Sequence, residues 1–223
     1  MRFLAFLGCL AVVLISRPAF AGDSHFYLVP SAGAVLFSGG SQTFALPDSP
    51  PTPVASPAHV TADLTRITTS RSTDRQSLRL GYRIMPHLAL ELEAARTGRW
   101  SQMGTYLLAG NTITGQLNAY RSYELGANAV VSLPVGRRFT LQAGLGCAEV
   151  HYSIQGGALS GLVWTTGTAT TTDAQYSVEL GATCRVAPSV ALRADVEAFF
   201  PQAHLAQPMP HMIGLSLGVV IDL

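Results

Sequence analysis

Eight stretches of this chain have a period of two, and along most of their length apolar side chains keep to one face and ionisable side chains to the other. One face carries Leu78, Leu80, Tyr82 and Ile84, then Leu88, Leu90, Leu92 and Ala94, then Tyr123, Leu125, Ala127, Ala129 and Val131. It continues through Phe139, Leu141, Ala143 and Leu145, through Tyr176, Val178, Leu180 and Ala182, and through Val190, Leu192, Ala194 and Val196. The opposite face carries Arg79, Arg83, Glu91, Glu93, Glu124, Asn128, Glu179, Arg185, Arg193, Asp195, Glu197 and Asp222. The last stretch repeats the pattern, with Ile213, Leu215, Leu217, Val219, Ile221 and Leu223 on odd positions. A sheet with one apolar and one ionic face needs two unlike surroundings, so it either wraps a core or separates lipid from a polar interior.

The eight predicted strands run over about 25–37, 76–86, 87–97, 119–133, 138–152, 174–186, 189–200 and 211–223. Three joints are tight and hold a proline that cannot pair within a ladder: Met85-Pro86-His87, Leu133 to Arg137, and Ala187-Pro188-Ser189. The other four, 38–75, 98–118, 153–173 and 201–210, are long. Short and long joints alternate strictly, so the short turns share one end of the sheet and the long loops the other. That asymmetry belongs to transmembrane barrels of outer membranes. Leu-Gly pairs at 80, 125 and 180, each leading into a proline turn, repeat the hairpin without the fixed period of a solenoid.

The first 21 residues read as a secretory signal peptide, with basic Arg2, an apolar run from Phe3 to Ile15 and Ala19-Phe20-Ala21 as a small-residue cleavage site. The mature domain is then 22–223. The apolar run is too short to span a bilayer as a helix, and no later stretch of roughly 18 apolar residues replaces it. Without Arg2 and Arg17, 12 arginines face 13 carboxylates, a formal charge of −1, and no basic patch points to nucleic acid. The chain has no lysine, so each fixed cation is the one suited to bidentate carboxylate pairing. Cys147 and Cys184 fall too far apart in strand level for a disulfide and are expected to face lipid as small apolar groups.

A soluble exported barrel binding a small ligand inside shares the alternation but would place the charges in water. Three features argue for the membrane. A soluble outer face is normally rich in lysine. Gly81, Gly126, Gly144, Gly146, Gly181, Gly214 and Gly218 share the polar parity and make room for arginines and carboxylates to interlock inside. Tyr27, Tyr82, Tyr123, Phe139, Tyr176 and Phe200 lie near strand ends, where aromatic girdles sit. The expected fold is therefore all-β, an eight-stranded antiparallel up-and-down transmembrane barrel with short periplasmic turns, long extracellular loops and a lumen filled by an ion-pair network. That lumen set is Arg79, Arg83, Glu91, Glu93, Glu124, Glu179, Arg185, Arg193, Asp195 and Glu197.

On its leader, strand count, loop rhythm and final strand, the chain resembles the small eight-stranded outer-membrane proteins, the family containing the OmpA transmembrane domain, OmpX and the opacity-type surface proteins. The resemblance spans the mature chain. It implies an integral outer-membrane barrel of the porin-like or surface-antigen type with a structural or surface-binding role. The implied partners are outer-membrane lipid and lipopolysaccharide, the barrel-assembly machinery acting on the strand from Ile213 to Leu223, and an extracellular ligand held by loops 38–75 and 153–173. Those families commonly end on Phe, where this chain has Leu223.

Glu149, His151 and Ser153 share one strand face, and "HYS" resembles the His-x-Ser pair of lipid A deacylases built on such barrels. That resemblance implies a lipid A-modifying hydrolase with Ser153 as nucleophile, His151 as base and an orienting acid. The chain has Ile154 where those enzymes carry Asn, and the motif sits far from the C-terminus. The preferred expectation is a bulge near Cys147 that turns Val150, Tyr152 and Ile154 outward and leaves the polar three inside or above the membrane, without catalysis. His204 and His211 specify no metal site, and no cofactor motif is present. The stretches "PDSPPTPVASPAH" and "TTGTATTTDA" are expected as solvated loops.

Overall fold

The computed structural model describes residues 25–38, 41–43, 63–108, 111–160, 163–201 and 211–223. The predicted signal peptide, the proline-rich stretch at 47–59 and His204 lie outside the described residues. Among the described residues ten strands are present: β1 (Phe26–Ser38), β2 (Ser41–Thr43), β3 (Asp63–Thr69), β4 (Ser72–Met85), β5 (Leu88–Leu108), β6 (Asn111–Pro134), β7 (Phe139–Ser160), β8 (Val163–Ala187), β9 (Val190–Pro201) and β10 (His211–Asp222). They form one antiparallel sheet in the order β2-β3-β5-β4-β1-β10-β9-β8-β7-β6, and β5 pairs with β6 to close the ring.

Eight strands make the closed barrel. β2 and β3 continue the first hairpin outward: β3 takes up the edge of β5 from Thr69↔Gln102 onward, beyond the last β4 pair at Arg75↔Thr97. The seam between first and last strands is laddered from Tyr27↔Asp222 to Ser38↔His211, in one register with a gap at Val29 and Pro30. Closure leaves the barrel without an edge, which is what a sheet in hydrocarbon requires of its backbone groups.

The three tight joints fall at one end of the barrel, at Pro86-His87, Val135 to Arg138 and Pro188-Ser189. Gly136 adopts φ 95°, a left-handed turn conformation that a residue with a Cβ enters at a cost. The opposite end differs from expectation. The stretch 98–118 is not a loop, because β5 runs to Leu108 and β6 starts at Asn111. Likewise β7 runs to Ser160 and β8 starts at Val163, so "TTGTATTTDA" is strand. The physical reason is that a threonine-rich, β-branched run needs no core when a partner strand supplies its ladder. Cross-strand pairs such as Thr171↔Tyr152 and Ala169↔Ile154 hold the ribbon together.

The outer wall carries a continuous apolar belt. Leu217 is 71% exposed, Leu145 66% and Leu180 63%, and Leu133, Val131, Leu141, Leu192 and Val196 join them. A belt this large around a closed barrel belongs in a bilayer and not in water. Ile213, Leu215, Leu217, Ile221 and Leu223 on the last strand face it, while Ser216 turns inward opposite Asp195 and Gly33.

Two substitutions one residue apart separate these faces. Leu217→Arg should destabilise the folded barrel in membranes by about 2 to 4 kcal/mol and lower its outer-membrane fraction. Ser216→Thr, in the polar interior, should leave that fraction near wild type. Normal assembly of Leu217→Arg would place the belt in water.

Candidate functional site

The lumen is built in three layers, each from alternate residues of the strands. At the short-turn end, Tyr27, Val29, Ala89, Ala191 and Val220 form a small apolar cluster. Beneath it a cavity of about 180 Å³ opens at the mouth, lined in part by Arg83, Gln142, Arg185 and Asp222. There Arg83 Nη2 lies 2.6 Å from Asp222 Oδ1, and its guanidinium covers the Tyr27 ring at 4.7 Å.

The middle layer is ionic. Arg79 places Nη1 2.7 Å from Glu179 Oε2 and 3.4 Å from Asp195 Oδ2, and Nε 3.2 Å from Glu93 Oε1. Arg193 holds Glu91 Oε1 at 2.6 Å and Asp195 Oδ1 at 2.9 Å, and also pairs with Glu179. Arg75 holds Glu124 Oε2 at 2.9 Å, Glu197 Oε2 at 3.1 Å and Glu93 Oε1 at 3.2 Å. Neutral donors complete the carboxylates: Tyr27 Oη donates to Glu91 Oε1 at 2.7 Å, Asn128 Nδ2 to Glu93 Oε2 at 3.1 Å, and Thr97 Oγ1 to Glu124 Oε1 at 2.9 Å. All the charged groups of this layer are at most 8% exposed at the side chain, so loss of one partner leaves the others unpaired in a desolvated space.

Above it the lumen turns apolar and aromatic. Trp100 stacks on Tyr120 at 4.1 Å between ring centroids, Phe37 packs on Trp100, and Val35, Phe199 and Met212 form a buried cluster. Val150 and Tyr152 are buried on the same side. Arg75 joins the two layers, its guanidinium lying 4.9 Å over the Phe199 ring. The two cavities in this part of the lumen measure about 10 Å³ each, near the space of one water probe, so side chains fill the barrel.

Several sequence expectations change here. Arg75 and Tyr27 belong to the network, beyond the lumen set that parity predicts. The predicted second strand began one residue after Arg75, although Arg75, Ser77 and Arg79 share one parity. Tyr27, expected in the girdle, is buried against Glu91, and Gly81 lets it lie there: a Cβ on Gly81 would stand 2.1 Å from the Tyr27 ring. Phe26 takes the outward position instead, against Tyr82. Arg185 is exposed at the mouth and outside the ionic layer, because a register shift between Arg185 and Ala187 ends the regular ladder there.

The expected bulge near Cys147 does not exist. β7 pairs with β6 and β8 without a register shift. Strict alternation therefore continues, so Val150 and Tyr152 point inward and Glu149, His151 and Ser153 lie exposed on the outer wall. His151 Nδ1 is hydrogen-bonded to Thr172 Oγ1, and none of the three lines a cavity of the lumen. Cys147 and Cys184 are unbridged, eight residues apart in level on adjoining strands, since Cys147 pairs with Tyr176 and Cys184 with Phe139.

A closed antiparallel barrel with an apolar belt, a charged lumen and tight turns at one end defines the outer-membrane barrel class. Residues 7–219 match the model of the outer membrane protein beta-barrel domain, and the chain belongs to that family. Its fold is similar to neisserial surface protein A, with a TM-score of 0.52 and 15% identity over 91% of this chain and 99% of that one. It is also similar to the outer membrane protein OprG from Pseudomonas aeruginosa, with a TM-score of 0.53 and 10% identity over 90% of this chain and 98% of that one. No curated protein matches the sequence. The barrel is thus an outer-membrane protein, with its tight turns on the periplasmic side and its long hairpins outside.

Arg79→Ala should destabilise the barrel by about 3 to 5 kcal/mol, because it strands buried carboxylates from three other strands. Urea unfolding in liposomes, followed by tryptophan fluorescence, measures it. An effect below about 1 kcal/mol would show the layer to be hydrated.

Proposed function

We propose that the protein is a surface-binding barrel: a plugged scaffold that displays a β-ribbon to the exterior for an extracellular partner. The observation that carries this reading is the outer half of the β7–β8 hairpin. Among the described residues, β8 pairs with β9 only from Gln175 onward, while Val163 to Ala174 pair with β7 alone. Gly167 to Thr170 are exposed. Among the described residues this leaves one edge of a threonine-rich strand open to another extended segment, the geometry in which a partner adds a strand.

The filled lumen supports the same reading, since a passage blocked by the Trp100–Tyr120 stack and by the ion-paired layer of Arg75, Arg79 and Arg193 does not carry solutes. The stretch 38–75 joins the proposal as a second ligand-binding segment, and the barrel-assembly machinery as the partner that reads the strand from Ile213 to Leu223. Export through cleavage after Ala21 belongs to the proposal, and the mass of the purified protein should correspond to a chain beginning at Gly22.

The test replaces residues 153–170 by Asn-Gly, which closes the hairpin as a two-residue turn at the Tyr152↔Thr171 pair. Cells displaying this variant should keep the heat-dependent gel shift of a folded barrel and lose adhesion to matrix- or serum-coated surfaces that wild-type cells bind. In planar bilayers both forms should show small, infrequent conductance at most. Equal adhesion by both would remove the ribbon from the function.

A further inference from the structure

The outer wall of β5, β6 and β7 holds a groove of about 200 Å³. Its floor is Ala127 and Ala129, and its sides are Leu90, Leu145 and Cys147. The register explains the shape: Leu90, Ala129 and Leu145 stand in one row across the three strands, and Leu92, Ala127 and Cys147 in the next. Small side chains on the central strand thus lie between larger ones on both flanks, within the apolar belt.

Four residues further out on β6, roughly 14 Å along the strand, the wall changes character. Tyr123 stands in a row with Arg96 and His151. Arg121 and Arg99 follow, both exposed, and Arg99 Nη2 donates to Gln155 Oε1 at 3.2 Å across the outside of β6. Among the described residues of β4 to β7, the outward carboxylates are Asp74 and Glu149. On the far wall, β8 and β9 present Thr172, Ala174 and Phe200 at this height, with no arginine.

We propose that this wall binds one phosphorylated acyl lipid of the outer leaflet, its phosphate against Arg96, Arg99 and Arg121 and one acyl chain in the groove over Ala127 and Ala129. The charge complementarity fixes the headgroup. Guanidinium forks match phosphate oxygens, and they stand beside the aromatic residue that marks the edge of the hydrocarbon. The groove fixes the tail, since a concavity facing hydrocarbon is filled by a chain that can lie in it. The inference rests on the outer-membrane placement and is independent of the ribbon's partner.

The full-length barrel in detergent micelles is titrated with lipid A carrying both phosphates, with its dephosphorylated form and with inorganic phosphate, read by native mass spectrometry. One molecule of the phosphorylated lipid should remain bound, and the dephosphorylated form should bind about tenfold or more weakly. Arg96→Gln combined with Arg121→Gln should remove that preference. Ala129→Leu, which fills the groove, should weaken the lipid and leave inorganic phosphate unchanged. The heat-dependent gel shift checks that each variant is folded. Equal affinity of wild type for the two lipid forms would overturn the proposal. So would inorganic phosphate binding as tightly as the lipid, which would mark an anion site without a lipid tail.

Discussion

Arg79 on β4 and Glu179 on β8 face each other across the full width of the barrel, four places apart in a ring of eight strands. Arg193 on β9 and Glu91 on β5 do the same along a second diameter. These two crossing ion pairs set the cross-section, because a guanidinium that serves several carboxylates from several walls fixes how far apart the walls stand. Lysine could not substitute, since a single ammonium lacks the planar fork that reaches two acids along different directions. The absence of lysine from the whole chain agrees with that demand at its centre.

The rest of the molecule follows from a reversal of polarity along the axis. Within the belt the barrel is apolar outside and ionic inside. Beyond Glu149 on β7, with the ladder unbroken, it is polar outside and aromatic inside. One strand thus satisfies two solvents by exchanging which parity carries its apolar residues, with no bulge. The aromatic layer then shields the ionic layer from external water, and Arg75 belongs to both, with its fork on Glu124 and Glu197 and its face on Phe199.

Parity made the barrel legible. The tight periplasmic ends fall within a few residues of where proline and charge alternation put them, as at Met85, Pro134 and Ala187. The outer ends were not legible, because threonine and glycine runs carry no alternation of polarity and a ribbon's ladder leaves no trace in hydropathy. β1 misled for a related reason: "FYLVPSAGAVLFS" is apolar on both parities, so nothing in it says that Tyr27 and Val29 turn inward. The polarity exchange at Val150 imitates a bulge in sequence, because both produce a shift in the phase of the apolar residues. Only the pairing register separates them. The candidate arginines of the outer wall carried no signal either, since their grouping arises between strands and not along one.

The unbroken register of β7 and β8 also makes the barrel a gauge of height. Because Arg96 and Glu149 favour water and the belt favours hydrocarbon, the boundary between them sets the height at which the barrel sits. From His151 the ribbon continues nine residues to Ser160, roughly 30 Å of strand, before it turns. The described part of the ribbon therefore extends well beyond the apolar belt. On the proposed function, a surface coat of saccharide shorter than that extension would leave the ribbon in contact with the surroundings and a taller coat would enclose it, so the thickness of the cell's own coat would decide what the ribbon can touch.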